Sequence, residues 1–336
     1  MVRFPAKYWI PGMAIAVSIA TELTLRLAFG LGTPVLSQAD VYTGYRFQPN
    51  QKLVRFGKRI EYNQYSQRSE RITPEKPKGV LRILITGDSV LNGGNPTDQS
   101  QIITELFEAK LSASGHPAEV LNASAGSWGI GNELGYLYKF GTFNADAVIL
   151  QIGNHDLTQP TSTSDVVGHH PSYPDHPPLL AMQEAWTRYA WPELANRLGF
   201  QFSANELPPP KPSNPDQQFK ENMESLKQIV KLVRAKKIPV FVLYTPNLDD
   251  LLPKPKVSPY KTEFLRLLKN LQVPIIDTQT AWSRLPPTTV ETYFRDWVHL
   301  NVPANQAIAQ QLFDQLCRSR QLPSCSAAPP PSPVKP

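Results

Sequence analysis

Val80-Leu81-Arg82-Ile83-Leu84-Ile85-Thr86-Gly87-Asp88-Ser89-Val90-Leu91-Asn92-Gly93 is apolar, except for Arg82, as far as Ile85 and turns polar at Gly87. A run of that length, rich in aliphatic residues, reads as a strand buried on both faces. Gly-Asp-Ser then supplies one residue that tolerates positive φ and two that cap a helix. A strand running into a helix start puts Ser89 at the carboxyl edge of a parallel sheet, where catalytic groups of α/β proteins collect.

The rest of the chain repeats this alternation. Short apolar runs at 80–86, 118–124, 145–152, 240–244 and 273–276 are separated or followed by helical spacing at 101–111, 133–140, 219–236, 260–271 and 304–317. Strand and helix in alternation predict an α/β fold, a parallel sheet covered on both faces as a three-layer α/β/α sandwich.

Two more strings complete a set. Gly153-Asn154-His155-Asp156 leaves the third apolar run, and Asp296-Trp297-Val298-His299 lies near the last helix. Alone, each is ordinary turn chemistry, and a lone histidine is more often structural than catalytic. In this order with Gly87-Asp88-Ser89, they supply a nucleophile, an amide donor and a base with its orienter. A serine hydroxyl needs a base to take its proton, and an imidazole can accept that proton and later return it to a leaving alcohol. A carboxylate three residues earlier can fix the imidazole tautomer.

These strings resemble the blocks of the SGNH hydrolases, the GDSL-like esterase and lipase family. The first block is Gly87-Asp88-Ser89-Val90-Leu91-Asn92-Gly93, with valine where the eponymous leucine would stand. The second is Asn122-Ala123-Ser124-Ala125-Gly126-Ser127-Trp128-Gly129, where Ser127 holds the position expected for an oxyanion glycine. The third and last are the Gly153 and Asp296 strings, and the resemblance covers residues 81–317. It implies a flavodoxin-like five-stranded sheet of order 2-1-3-4-5 and an esterase acting through an acyl-enzyme at Ser89. His299 would be the base and Asp296 its orienter. Asn154 and the backbone amides of Ser89 and of Gly126 or Ser127 would form the oxyanion hole. The substrate would be an acyl ester of carbohydrate or lipid. An O-acyltransferase modifying a polysaccharide with the same site, and a non-catalytic binding or assembly protein, are the alternatives.

Other chemistries fit less well. Ser89 lacks the Gly-x-Ser-x-Gly elbow. The glycines of residues 126–131 are in the wrong order for a dinucleotide fingerprint, and no Walker lysine follows a glycine-rich loop, so no cofactor is implied. His169-His170 with Asp175 and His176 lies in a proline-rich stretch without metal-ligand spacing and reads as a loop, so no metal is expected.

The ends and the gaps carry the remaining expectations. Residues 1–36 read as a membrane anchor or signal segment: Arg3 and Lys7 precede an uncharged stretch at 8–21, and a second apolar stretch covers 27–36. Glu22 and Arg26, four apart, can pair on one helix face and make a single span feasible. The resemblance favours an anchor with the catalytic domain on the periplasmic side, and cleavage near Ser37 and Ala39 with secretion is the rival. Residues 37–80 form a basic extension. From Arg46 to Arg82 ten basic residues face three acidic ones, more than the whole formal excess of +6. Such a run reads as a solvated face or a contact for anionic lipid or polysaccharide. It carries no nucleic-acid-binding module.

The hydrolase domain is expected at 81–318, interrupted by an insertion at 157–216 that is far longer than ordinary connections. Its apolar residues between Leu179 and Leu198 read as a helix interrupted at Pro192, either a lid over Ser89 or a peripheral packing helix. Residues 319–336 are too rich in proline to fold. Cys317 and Cys325 fit one disulfide or two free thiols.

Overall fold

A computed structural model describes residues 6–198, 214–318, 322 and 325. Four strands precede the central sheet: β1 (Ser37–Asp40) pairs with β2 (Gly44–Phe47) and β3 (Gln51–Arg55) with β4 (Lys58–Tyr62), both antiparallel. The central sheet contains β5 (Leu81–Gly87), β6 (Ala118–Ser124), β7 (Ala147–Gly153), β8 (Val240–Thr245) and β9 (Ile275–Asp277). Its order is β6-β5-β7-β8-β9, all parallel, which is the expected 2-1-3-4-5 arrangement.

Every residue of β5, β7 and β8 is buried, as continuous apolar runs require when helices cover both faces. Alternate side chains feed two cores. Leu84, Leu121, Val148, Leu150 and Val242 join a cluster with helices Ile130–Phe140, Pro215–Arg234 and Pro259–Asn270. Ile83, Ile85, Val120, Ile149 and Leu243 join the other, under Ile103–Ala113 and Val302–Phe313. At about 1.5–3 kcal/mol per buried aliphatic side chain, these two layers hold the sandwich together.

Arg82, the one charge in the opening run, is fully buried. Its guanidinium donates to Glu119 (2.7 Å) and to the carbonyls of Phe143 (2.9 Å), Thr73 (3.1 Å) and Pro74 (3.2 Å). Arg55 and Arg68 are equally buried, so these three members of the basic stretch are structural and the solvated-face expectation fails for them. Each meets carbonyls or a carboxylate that only a forked, permanently charged side chain satisfies.

The segment before the sheet packs on the sheet's carboxyl edge. The Tyr45 hydroxyl donates to the Gly126 carbonyl, Trp128 Nε1 donates to the Tyr45 carbonyl (2.9 Å), and the Tyr62 hydroxyl donates to Asn92 (3.1 Å). Ahead of it stands helix Ala6–Phe29, in which Trp9–Phe29 is long and apolar enough to cross a membrane by length and composition. The second apolar stretch divides: Phe29 ends the helix and is exposed, while Leu31 and Val35 are buried.

Within the insertion, Ala181–Ala185, a π-helical turn at Trp186–Ala190 and Trp191–Arg197 follow one another. The Trp191 N–H reaches the Trp186 carbonyl, and this wider turn accommodates Pro192 without ending the helix, where an interruption was expected. At the other end, Cys317 and Cys325 form a disulfide, and Leu322 is buried. The rest of the proline-rich end, expected to be unfolded, lies outside the described residues.

Candidate active site

Ser89 sits at the first position of the short helix Ser89–Asn92, directly after β5. Asp88 caps that helix, its carboxylate accepting the Val90 N–H at 2.8 Å. The turn needs glycine before it because a Cβ at Gly87 would lie 2.4 Å from Gln151 Oε1. Gln151, the polar residue of β7, uses that oxygen to accept the Asp88 N–H (3.2 Å) and donates to Thr245 of β8 (3.0 Å). Arg68 closes the far side, donating to the carbonyls of Asn92 and Gly94 (2.7 Å). The nucleophile turn is therefore held from two strands and from the preceding segment.

His299 Nε2 lies 2.9 Å from Ser89 Oγ, and His299 Nδ1 lies 2.7 Å from Asp296 Oδ2. The other oxygen of Asp296 accepts the backbone N–H groups of Val298 (3.0 Å) and His299 (2.8 Å). Partial burial pulls the Asp296 carboxyl up, but the His299 ring and these two amides outweigh it and hold the group well below the usual carboxylate range. A hydroxyl, an imidazole and a permanently ionised carboxylate in one hydrogen-bonded row can move a proton off the hydroxyl and back.

The expected oxyanion donors are distributed around this row. Asn154 donates one amide hydrogen to Asp250 (2.9 Å) and accepts from the Tyr244 hydroxyl (2.8 Å). A primary amide has a second hydrogen to offer. Ser127 adopts a left-handed conformation (φ 56°), a position that glycine would occupy at less cost. The Gly126 carbonyl is held by Tyr45. Because a trans peptide sets its C=O and N–H in opposite directions, the Ser127 N–H points away from Tyr45.

His155, within the third string, had no assigned role in the sequence. Its Nε2 lies 2.8 Å from Asp88 Oδ2 and 3.4 Å from Asp156 Oδ1, and its Nδ1 lies 3.0 Å from Asn247 Oδ1. The ring packs edge-on against Trp297 at 5.8 Å. Burial opposes its charge, but Asp156 and Asp88 more than compensate and raise the imidazole pKa to about 10. With both ring nitrogens facing acceptors, His155 is an imidazolium that joins the exits of β5, β7 and β8. Gly153 leaves it room, since a Cβ there would lie 2.5 Å from His155 Cε1. Asp88, His155 and Asp156 also bring three ligand-type atoms within 4.8 Å of one another, and the protonated imidazole between carboxylates accounts for that grouping. The signal for His155 was its place inside a quoted block. For Gln151 it was a lone polar residue in an apolar run.

Trp297, between Asp296 and His299 in the chain, helps to line a cavity of about 410 Å³ whose other walls include Leu248, Leu252, Pro253, Pro287 and Glu291 and whose lining includes none of Ser89, Asp296 and His299. Trp297 thus touches His155 and also walls the cavity. Its wall is largely apolar, with Asp249 and Glu291 as the acidic residues in it. His169, His170, Asp175 and His176 lie in the loop before Ala181, where His170 Nδ1 accepts the Ser172 N–H (3.2 Å) and His176 pairs with Asp175 (2.5 Å).

The parallel sheet and the polar row at its carboxyl edge define the class, an α/β hydrolytic enzyme. The chain belongs to the GDSL-like lipase/acylhydrolase family, whose profile matches residues 85–307, and it is a hydrolase acting on ester bonds. No curated protein matches the chain by sequence. Among solved structures it is similar to TesA, at 14% identity over 70% of this chain and 98% of that one, with a TM-score of 0.42. It is also similar to Axe2, an acetylxylan esterase from Geobacillus stearothermophilus, at 12% identity over 74% and 95% with a TM-score of 0.42. A third is LAE5, an α/β hydrolase from the metagenome of Lake Arreo, at 15% identity over 69% and 93% with a TM-score of 0.40.

Proposed function

We propose that the protein is a membrane-anchored serine esterase that removes O-acyl groups from a carbohydrate or lipid through an acyl-enzyme at Ser89. The observation that carries this reading is the row Ser89–His299–Asp296, with its spacings of 2.9 and 2.7 Å. His299 Nε2 takes the hydroxyl proton as Ser89 Oγ attacks the ester carbonyl carbon. The charge that develops on the carbonyl oxygen is met by the Ser89 amide, the Gly126 or Ser127 amide and the second amide hydrogen of Asn154. On collapse, the bond to the alcohol oxygen breaks and His299 returns the proton to that oxygen. Water, deprotonated by the same imidazole, then cleaves the acyl-enzyme to give the free acid and restore Ser89. Each oxyanion donor of this kind is worth about 2.7–4 kcal/mol of barrier. His155 does not contact the substrate in this scheme; it positions Asp88 and hence the turn that carries Ser89.

A short O-acyl group on a sugar suits the size and largely apolar wall of the cavity beside Trp297. The exposed apolar helix Ala6–Phe29 supports the anchor, residues 81–318 are read as the hydrolase domain, and the Cys317–Cys325 disulfide suits an oxidising compartment outside the cytoplasm. A fluorophosphonate probe tests the core of the reading. It should label the wild type at Ser89, leave Ser89→Ala unlabelled, and block release of acid from acetylated oligosaccharides and aryl esters. Labelling elsewhere, or ester cleavage that survives in Ser89→Ala, sinks it.

A further inference from the structure

The helix Ala6–Phe29 and the helical segment at 181–197 are joined at one point, and both turn apolar side chains outward. The Glu22 carboxylate accepts the backbone N–H groups of Ala181 (2.7 Å) and Met182 (3.0 Å). Arg26 pairs with Glu22 (2.6 Å) and donates to the Leu179 carbonyl (2.9 Å). The first turn of the segment is thus capped from the N-terminal helix, at the end where a negative charge is favourable. A second tie is buried: Glu184 forms an ion pair with Arg55 and accepts the Gly32 N–H at 2.6 Å.

With those polar groups turned inward, Leu179 (89% exposed), Trp186 (53%), Tyr189 (41%), Trp191 (40%), Leu194 (41%) and Leu198 (62%) face outward. Single exposed apolar residues are ordinary, but this many on one short segment mark a contact surface. An aromatic series connects the surface to the end of the N-terminal helix: Phe29 meets Phe56 at 6.2 Å and Phe56 meets Tyr189 at 5.6 Å. On the same hairpin as Phe56, Arg59 is exposed and suits an anionic head group, while Lys52 is held in an ion pair with Glu61 (2.6 Å).

We propose that residues 179–198 are a second membrane contact, lying in the head-group region of a lipid bilayer and locked to the end of the anchor. The inference rests on reading Ala6–Phe29 as that anchor. Depth supports it. Glu22 precedes Phe29 by two turns, about 10 Å along the axis, and interfacial helices sit about 5–10 Å into the boundary. The junction also solves a problem for the span, since a carboxylate at that depth is tolerated when a guanidinium and two amides satisfy it. Trp and Tyr are the side chains that favour such an interface.

The test uses the full chain reconstituted into vesicles of phosphatidylcholine and phosphatidylglycerol. Trp186→Cys and Leu194→Cys each accept one nitroxide label, since both native cysteines are in the disulfide. Lys231→Cys, exposed near the carboxyl end of Pro215–Arg234 and so at the opposite edge of the sheet, is the aqueous control. Labels at 186 and 194 should collide more with oxygen than with a water-soluble nickel chelate, and the label at 231 should show the reverse. Protein that stays with the vesicles through a salt wash while 186 and 194 read like 231 overturns the second contact and leaves the anchor standing. Shielding of both labels from both reagents overturns it in favour of cover by protein, whether a second copy or the domain itself. Failure of the chain to enter vesicles overturns the anchor reading and the inference together.

Discussion

The turn at Ser89 and the segment at 181–197 dispose of their side chains in opposite ways. In the turn, Val90 and Leu91 are buried, polar groups from β7 and the preceding segment hold its backbone, and His299 of the Asp296 string meets the Ser89 hydroxyl. In the segment, polar groups hold the base while Trp186, Tyr189, Trp191 and Leu194 face outward. The first arrangement fixes a reactive atom to within a hydrogen bond; the second presents a surface. The difference divides the insertion after the Gly153 string: near its start Gln159 and Ser162 donate to the Ser127 carbonyl and Tyr173 to the Ser127 hydroxyl, whereas 181–197 is tied elsewhere. The contacts of 181–197 run to the N-terminal helix and to the β3–β4 hairpin, whose tip at Phe56 is about 20 Å of strand from Tyr62 and the Ser89 helix.

If the turn is a precisely positioned site, its largest sensitivity is to the orientation of the base. Asp296→Asn keeps the shape but favours the wrong imidazole tautomer, so kcat should fall about 10⁴-fold with the melting temperature nearly unchanged. Steady-state kinetics on an aryl acetate beside a thermal melt decide it. Turnover within tenfold of wild type removes the distinction between the two regions, because the row at Ser89 would then be no more than packing.

Asn154 sharpens the same comparison at a smaller scale. Asn154→Ala should lower kcat about 10²- to 10³-fold with little change in KM, as expected for a donor to the developing oxyanion. It also strips Tyr244 and Asp250 of a partner, so the melting temperature should drop. Tyr244→Phe supplies the control, losing stability through the same network while retaining most of kcat. Equal kinetic effects in the two variants would make Asn154 a structural residue.

His155 tests whether the rigidity of the turn is electrostatic. Its pKa is raised in the folded protein to about 10, against about 6.5 for a free imidazole, so its charged contacts contribute fully below the lower value and are lost as pH rises toward the upper one. His155→Gln should cost about 3 kcal/mol near pH 6, as for breaking a buried charge pair, and the gap to wild type should narrow toward pH 10. Denaturant melts at several pH values give the slope. A gap that widens with pH means that His155 is neutral in the folded state.

Much of this contrast was legible in the sequence, and the limit of legibility has a physical basis. Mainly apolar runs located all five central strands to within two residues at each end, and β5, β7 and β8 owe this to burial on both faces, whereas β6 and β9 are partly exposed. Ser89, Asp296 and His299 stood out in the sequence because their residue types and order match a nucleophile, an orienter and a base, and the fold brings them into one hydrogen-bonded row. The partners of the turn did not stand out. Arg68, Gln151 and Asn247 lie far from Ser89 along the chain, and only the fold brings them together. Arg55, Arg68 and Arg82 were misread as solvated because composition cannot reveal the carbonyls that a folded chain supplies. The Glu22 cap on Ala181 joins residues 159 apart in the chain and leaves no local pattern at all.

The smallest expected effect is the one that tests the segment from the side of catalysis. Trp186 is exposed, touches Trp191 at 6.1 Å, and has no described contact with the cavity beside Trp297. Trp186→Ala should therefore shift stability by no more than about 0.5 kcal/mol, the range for surface positions. For soluble esters, kcat/KM should change less than about twofold at every acyl length, since a group that never meets the substrate cannot favour its transition state. A selective loss for long acyl chains, with acetyl esters untouched, would instead place the segment over Ser89 as a lid. That result would merge the two regions into one site and assign the exposed aromatics to the substrate. An even profile across chain lengths, in a variant that melts like wild type, keeps the regions apart and frees the outward aromatics for a contact other than the substrate.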